Sequence, residues 1–135
     1  MTETRTLVIE RELPYPPEKV WRALTEGALV QQWLMDNDLE PVVGHRFKFR
    51  STPVPNWDGV IASEVLAVEP NKTLSYTWAA YGLESVITWT LTPTEAGTQV
   101  RMEQSGFRPD QEQAYKGAKG GWQQFFATLE KVVAR

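Results

Sequence analysis

Six tryptophans, five phenylalanines and four tyrosines are the residues of this 135-residue chain with the clearest chemical potential. Rings recognise flat or apolar molecules by stacking and by burying area, not by moving protons. Trp33, Trp57, Trp78, Trp89 and Trp122 are candidates to line an apolar cavity, whereas Trp21 reads as helix-to-sheet packing. The alternative is that all six fill a core, because aromatic side chains dominate core energetics anyway.

Polar candidates are few. His45 is the single histidine and stands at a loop-to-strand boundary, with no nucleophile evident beside it. Cysteine is absent, which excludes thiol catalysis, iron–sulfur clusters and thiolate zinc. No metal site is expected. Asp36-Asn37-Asp38 opens like a calcium loop, but Pro41 stands where the turn needs Gly and Phe47 where it needs Glu. Gly117-Ala118-Lys119-Gly120-Gly121 lies inside a helical pattern and not after a strand, so it is no phosphate loop. Ser105 lacks the preceding Gly of a nucleophile elbow. Arg46-Phe47-Lys48-Phe49-Arg50 mixes basic and aromatic residues, yet the net charge of −3 and the lack of a wider basic patch favour an ordinary amphipathic strand over a nucleic-acid surface. Arg11 shares parity with Leu7, Ile9 and Leu13, and Glu64 with Val60, Leu66 and Val68. An inward charge must be paired or wetted, so either residue could orient a polar group of a ligand.

The elements that must position these residues are legible from periodicity. Residues 6–13 alternate as a strand, which Pro14, Pro16 and Pro17 end. A helix follows over Glu18–Leu24 with Val20, Trp21 and Leu24 on one face. Thr25 is a candidate cap for a second short helix carrying Leu29, Val30, Trp33 and Leu34. A polar loop spans Asp36–Gly44. Strand patterns then recur at His45–Ser51 and Val60–Val68, around Leu74-Tyr76-Trp78 and Ile87-Trp89-Leu91, and at Val100-Met102, joined by turn signals such as Thr52-Pro53-Val54-Pro55-Asn56 and Asp58-Gly59. The last quarter, Asp110–Ala134, is one helix of roughly 37 Å. Its apolar stripe is Ala114, Ala118, Trp122, Phe125, Leu129 and Val132, with Phe126 and Val133 at the margin. Gly117, Gly120 and Gly121 each cost about 1 kcal/mol against Ala, a cost that close packing, a bend or room for a ligand would explain.

Length predicts one domain over residues 1–135, able to bury a core without disulfides or metals. No secretory leader or membrane-spanning run is apparent, which predicts a cytoplasmic protein. The expected class is α+β, an antiparallel sheet curled around a long C-terminal helix, with two short helices after the first strand.

Several local motifs strengthen this reading. They are Pro16-Pro17-Glu18-Lys19-Val20-Trp21-Arg22-Ala23-Leu24-Thr25, Gln32-Trp33, Glu64-Val65-Leu66-Ala67-Val68-Glu69-Pro70, Leu74-Ser75-Tyr76-Thr77-Trp78, Thr88-Trp89-Thr90-Leu91, Gly97-Thr98, Gln104-Ser105-Gly106-Phe107 and Gly121-Trp122. In this order the chain resembles the START/birch-pollen-allergen-like helix-grip (SRPBCC) superfamily. The nearest likeness is to proteins related to the C-terminal domain of the heat-shock chaperone ATPase activator. The resemblance implies a six- or seven-stranded sheet, an apolar cavity against the terminal helix, and a lipid-, polyketide- or flavonoid-like ligand. The expected lining is Trp33, Phe49, Trp78, Trp89, Trp122 and Phe126. No catalytic residue and no cofactor are expected, and the chain is expected to be a monomer or homodimer. Two other readings stay open: a polyketide cyclase or aromatase-like enzyme, and a chaperone-linked partner module.

Overall fold

A computed structural model of the chain describes residues 4–53, 55, 57–80 and 82–135, so Val54 and Asn56 of the expected proline-rich turn lie outside the described residues. Strand β1 (Arg5–Leu13) leads into helices α1 (Pro17–Thr25) and α2 (Gly27–Trp33). Strands β2 (Asp36–Asn37), β3 (Arg46–Arg50), β4 (Val60–Glu69), β5 (Thr73–Ala80), β6 (Leu83–Pro93) and β7 (Thr98–Phe107) follow, and α3 (Glu112–Val133) ends the chain. The strands form one antiparallel sheet in the order β1-β7-β6-β5-β4-β3-β2. Only β1 is out of sequence; it pairs with β7 and so brings the first and last strands together. This is the expected helix-grip arrangement, with the helices on the sheet's apolar face.

Local chemistry explains the boundaries and the departures. Pro17 takes the first position of α1, where a missing N–H removes no helical bond. Thr25 does not cap α2. It closes α1 instead, its hydroxyl donating back to the Trp21 carbonyl at 2.8 Å, and Glu26 precedes α2 without a side-chain cap. The loop expected over Asp36–Gly44 contains β2, because Asp36 and Asn37 pair with Arg50 and Phe49 along the open edge of β3. Asn37 ties this edge to α2, its amide donating to the Gly27 and Met35 carbonyls at 3.1 Å each.

One strand faces the opposite way from its expected parity. Val60, Glu64 and Leu66 point outward, and Ile61, Ser63 and Val65 are buried. Residues directly opposite in antiparallel strands share a face. Phe47 and Phe49 are committed inward, so their partners Ser63 and Ile61 must be inward too. Glu64 sits instead across from Arg46 and pairs with it at 3.4 Å on the outer surface. A register shift between Val65 and Ala67 then leaves Val68 half-buried against the core.

Gly97 holds the β6–β7 turn tightly against β1. Its φ is +156°, and a Cβ there would lie 2.1 Å from the Leu13 carbonyl oxygen. No side chain larger than hydrogen fits that approach.

The α3 stripe is apolar where it meets the sheet and bare before that. Trp122, Phe126, Leu129, Val132 and Val133 are buried. From Glu112 to Gly121 no residue is buried; Ala114, expected on the stripe, is exposed, while Tyr115 and Ala118 are half-covered. Phe126 is therefore the central ring and Phe125 the marginal one, the reverse of the expected assignment. An added Cβ at Gly117, Gly120 or Gly121 would meet nothing within 4 Å, so close packing does not explain these glycines.

Candidate functional site

The inner face of the sheet carries a run of rings that α3 and α2 close from above. Strand period sets Phe47 and Phe49 on β3, Tyr76 and Trp78 on β5, and Trp89 on β6 toward the helices. Trp33 enters from α2, and Trp122 and Phe126 from α3. All six expected lining residues thus converge in one place. Their centroids are spaced at contact distances: Trp33–Trp89 5.6 Å, Phe49–Trp78 5.1 Å, Trp78–Trp122 5.4 Å, Trp89–Trp122 5.8 Å and Trp89–Phe126 5.6 Å. Rings at these separations already satisfy one another. None of these six lines the clefts of 320 to 530 Å³ on the described surface, although one of 360 Å³ beside Arg46, Lys48 and Arg50 reaches Phe47 and Ser63. The hollow expected between helix and sheet is closed by the rings that were to line it. Trp78, at 9% exposure, is where the cluster comes nearest to solvent.

Three of the buried indoles, those of Trp33, Trp89 and Trp122, are oriented by hydrogen bonds, since an unpaired N–H in an apolar interior is costly. Trp33 Nε1 donates to the Ala23 carbonyl at 2.7 Å, and Trp89 Nε1 to the Tyr76 hydroxyl at 3.1 Å. Trp122 Nε1 donates to Gln104 Oε1 at 2.8 Å; Gln104 Nε2 donates to Ser85 Oγ at 3.0 Å, which donates in turn to the Trp78 carbonyl at 2.9 Å. This relay latches α3 to three adjacent strands through a glutamine that is 1% exposed. Gln104 was absent from the expected site. Its parity with Val100 and Met102 on β7 is the signal that places it inward.

Of the charged candidates, Arg11 alone faces the helix side: its guanidinium donates to Gln123 Oε1 on α3 and lies 5.9 Å from the Phe126 ring centre. Glu64 is on the other face, as described. His45 stacks on Phe47, with its Nε2 2.8 Å from the Asp38 carbonyl oxygen and its Nδ1 3.7 Å from Glu40. Burial would raise the Asp38 carboxyl, but the Lys48 N–H and the Arg50 guanidinium outweigh it and hold the group below its ordinary value. Trp57 lies at the rim, half-buried, donating to the Val60 carbonyl at 3.1 Å.

Burial of the Tyr76 phenol outweighs the Trp89 hydrogen bond and pushes its ionisation well above the ordinary 10.0. An unfolded chain therefore ionises first. The stability owed to the neutral phenol is complete below about pH 10 and falls as pH rises beyond it. Ultraviolet titration should find one tyrosine that remains protonated until the fold is lost. Reversible ionisation of every tyrosine in the folded state would contradict this placement.

Comparison with known proteins matches residues 14–134 to the family described as Activator of Hsp90 ATPase homolog 1-like protein. No curated protein matches the chain. Among solved structures, protein MLL2253 from Mesorhizobium loti is 58% identical, with 97% of this chain and 98% of its own covered and a TM-score of 0.91. Protein BH1534 from Bacillus halodurans is 26% identical over 98% of this chain and 99% of its own, at 0.84. DynU16, a protein in the dynemicin biosynthetic locus, shares the fold at 23% identity and a TM-score of 0.82; 96% of this chain spans 47% of that one.

Proposed function

The chain belongs to the Activator of Hsp90 ATPase homolog 1-like family, and from that premise we propose that it takes up a hydrophobic small molecule, lipid-, polyketide- or flavonoid-like, between the sheet and α3. One observation carries the reading: a continuous aromatic interior lies under a helix whose first ten residues include no fully buried side chain and three glycines at which an added Cβ would meet nothing within 4 Å. The rings are closed on one another, so entry requires α3 to lift and Trp78, Trp122 and Phe126 to part around the guest. The ligand's own rings then replace the contacts that are lost. Phe49 and Trp89 form the floor on the sheet, and Trp33 closes one side from α2.

A panel of a flavonoid, an anthraquinone and a long-chain fatty acid tests this with two readouts. A ligand held at a hundred times its dissociation constant stabilises the fold by about 2.7 kcal/mol, a shift of several degrees in melting temperature. Tryptophan emission should change in the same titration. A panel that moves neither quantity refutes the reading.

A second reading, a surface for a protein partner, draws on Val42 and Val43, 59% and 61% exposed in the segment before β3. It separates from the first in the same assay, because a partner surface leaves the interior indoles indifferent to small molecules.

A further inference from the structure

We infer that the Ser63 hydroxyl is the polar anchor of the interior, and that the guest it selects is a flat aromatic molecule bearing one carbonyl or hydroxyl group on its edge. This rests on the interior being a binding chamber, and it goes further by naming what distinguishes one guest from another.

Ser63 is 6% exposed, and its Oγ is the one buried side-chain polar atom among the described residues without a hydrogen-bond partner. Buried polar groups are almost always paired, and an orphan hydroxyl in a native fold needs a reason. The relay through Gln104 and Ser85 shows that this chain pairs its interior polar groups elsewhere, which makes the exception at Ser63 specific. The strand pattern points the residue inward, between Ile61 and Val65 and across from Phe47.

A second irregularity coincides with it. Pairing between β4 and β5 holds at Ala62–Ala79 and is next found at Val65–Tyr76, a constant register that sets Ser63 opposite Trp78. Within that gap the Glu64 N–H donates to the Thr77 hydroxyl at 2.8 Å. The hydroxyl without a partner therefore lies where the ladder is interrupted, beside the ring nearest to solvent.

An ordered water is the simpler occupant, but buried waters are typically held by about three hydrogen bonds. Phe47, Ile61 and Val65 offer no side-chain hydrogen bond at all. An aromatic guest is suited to the place: its plane lies against Phe49, Trp78 and Trp122, and its edge oxygen meets the serine. The hydroxyl donates to a carbonyl or accepts from a phenol, so it discriminates by the presence of an oxygen and not by charge.

The test compares 2-naphthol with naphthalene by equilibrium dialysis, against the wild type and Ser63→Ala. Naphthalene is the more apolar of the two, so a preference for the naphthol requires a polar partner inside. The wild type should favour 2-naphthol about tenfold, and Ser63→Ala should bind both probes with that preference gone. The free Ser63→Ala protein should melt roughly 2–6 °C higher, because it no longer buries an unpaired hydroxyl. If neither probe binds the wild type, the chamber itself is refuted and the anchor with it. If both bind without preference, or the alanine variant keeps the preference, the chamber stands and the anchor is overturned. A lower melting point for free Ser63→Ala would also overturn it, since the hydroxyl would then be bonded without a guest.

Discussion

Replacing Trp122 by alanine should cost about 5 kcal/mol of folding stability, a third or more of the roughly 5–15 kcal/mol that holds a native domain together. The indole touches Trp78, Trp89 and Phe125 and is 2% exposed, so its removal leaves a cavity at the centre of the grip. It also strips Gln104 Oε1 of its donor. The two contributions separate with Trp122→Phe, which keeps most of the ring contact and loses only the N–H. That variant should cost about 1–3 kcal/mol, the penalty for a buried acceptor left unpaired plus a small packing loss. Urea denaturation followed by far-ultraviolet circular dichroism measures both without relying on tryptophan emission. If Trp122→Phe is as stable as the wild type, the glutamine relay does not latch the helix.

The second large effect has the opposite sign. Replacing Gly117, Gly120 and Gly121 together by alanine should stabilise the protein by about 2–3 kcal/mol, near 1 kcal/mol for each glycine removed from a helix. Nothing opposes the change, because each added methyl enters open space. A chain that leaves so much stability unused at three positions of one helix gains something from a pliable first half. The same variant should therefore take up an apolar ligand more slowly than the wild type, at similar equilibrium affinity for the parted state. A destabilised triple variant, or one with unchanged uptake kinetics, would remove the role given to α3 as the moving cover.

Much of this architecture could be read from the chain before any coordinates. The alternation on β3, β5 and β6 placed Phe49, Trp78 and Trp89 inward by a two-residue period that turns and register leave little room to alter. The terminal helix was equally clear from its spacing. The parity of β4 was not. Val60, Glu64, Leu66 and Val68 make as good an apolar row as Ile61, Ser63 and Val65, and the choice was made by Phe47 and Phe49 on the neighbouring strand, which local sequence does not encode. Phe125 and Phe126 were exchanged for a related reason: adjacent residues on a helix differ by about 100° in direction, and only the sheet decides which of them points down. The closure of the rings on one another is a property of three-dimensional spacing. A list of aromatic residues at the right parity is the same whether they surround a space or fill it. Ser63 and Gln104 share the parity of buried neighbours, Ile61 and Val65 on one strand and Val100 and Met102 on the other, but a polar side chain at such a position does not by itself mark a core residue.

Intermolecular nuclear Overhauser effects between 2-naphthol and isotope-labelled protein test directly whether a guest enters the ring cluster. The prediction is contact between the naphthol protons and the side chains of Phe49, Trp78 and Trp122, accompanied by shifts of the α3 amides from Glu112 to Gly121. Contacts confined to the outer surface, with these indole rings unperturbed at saturation, would contradict it.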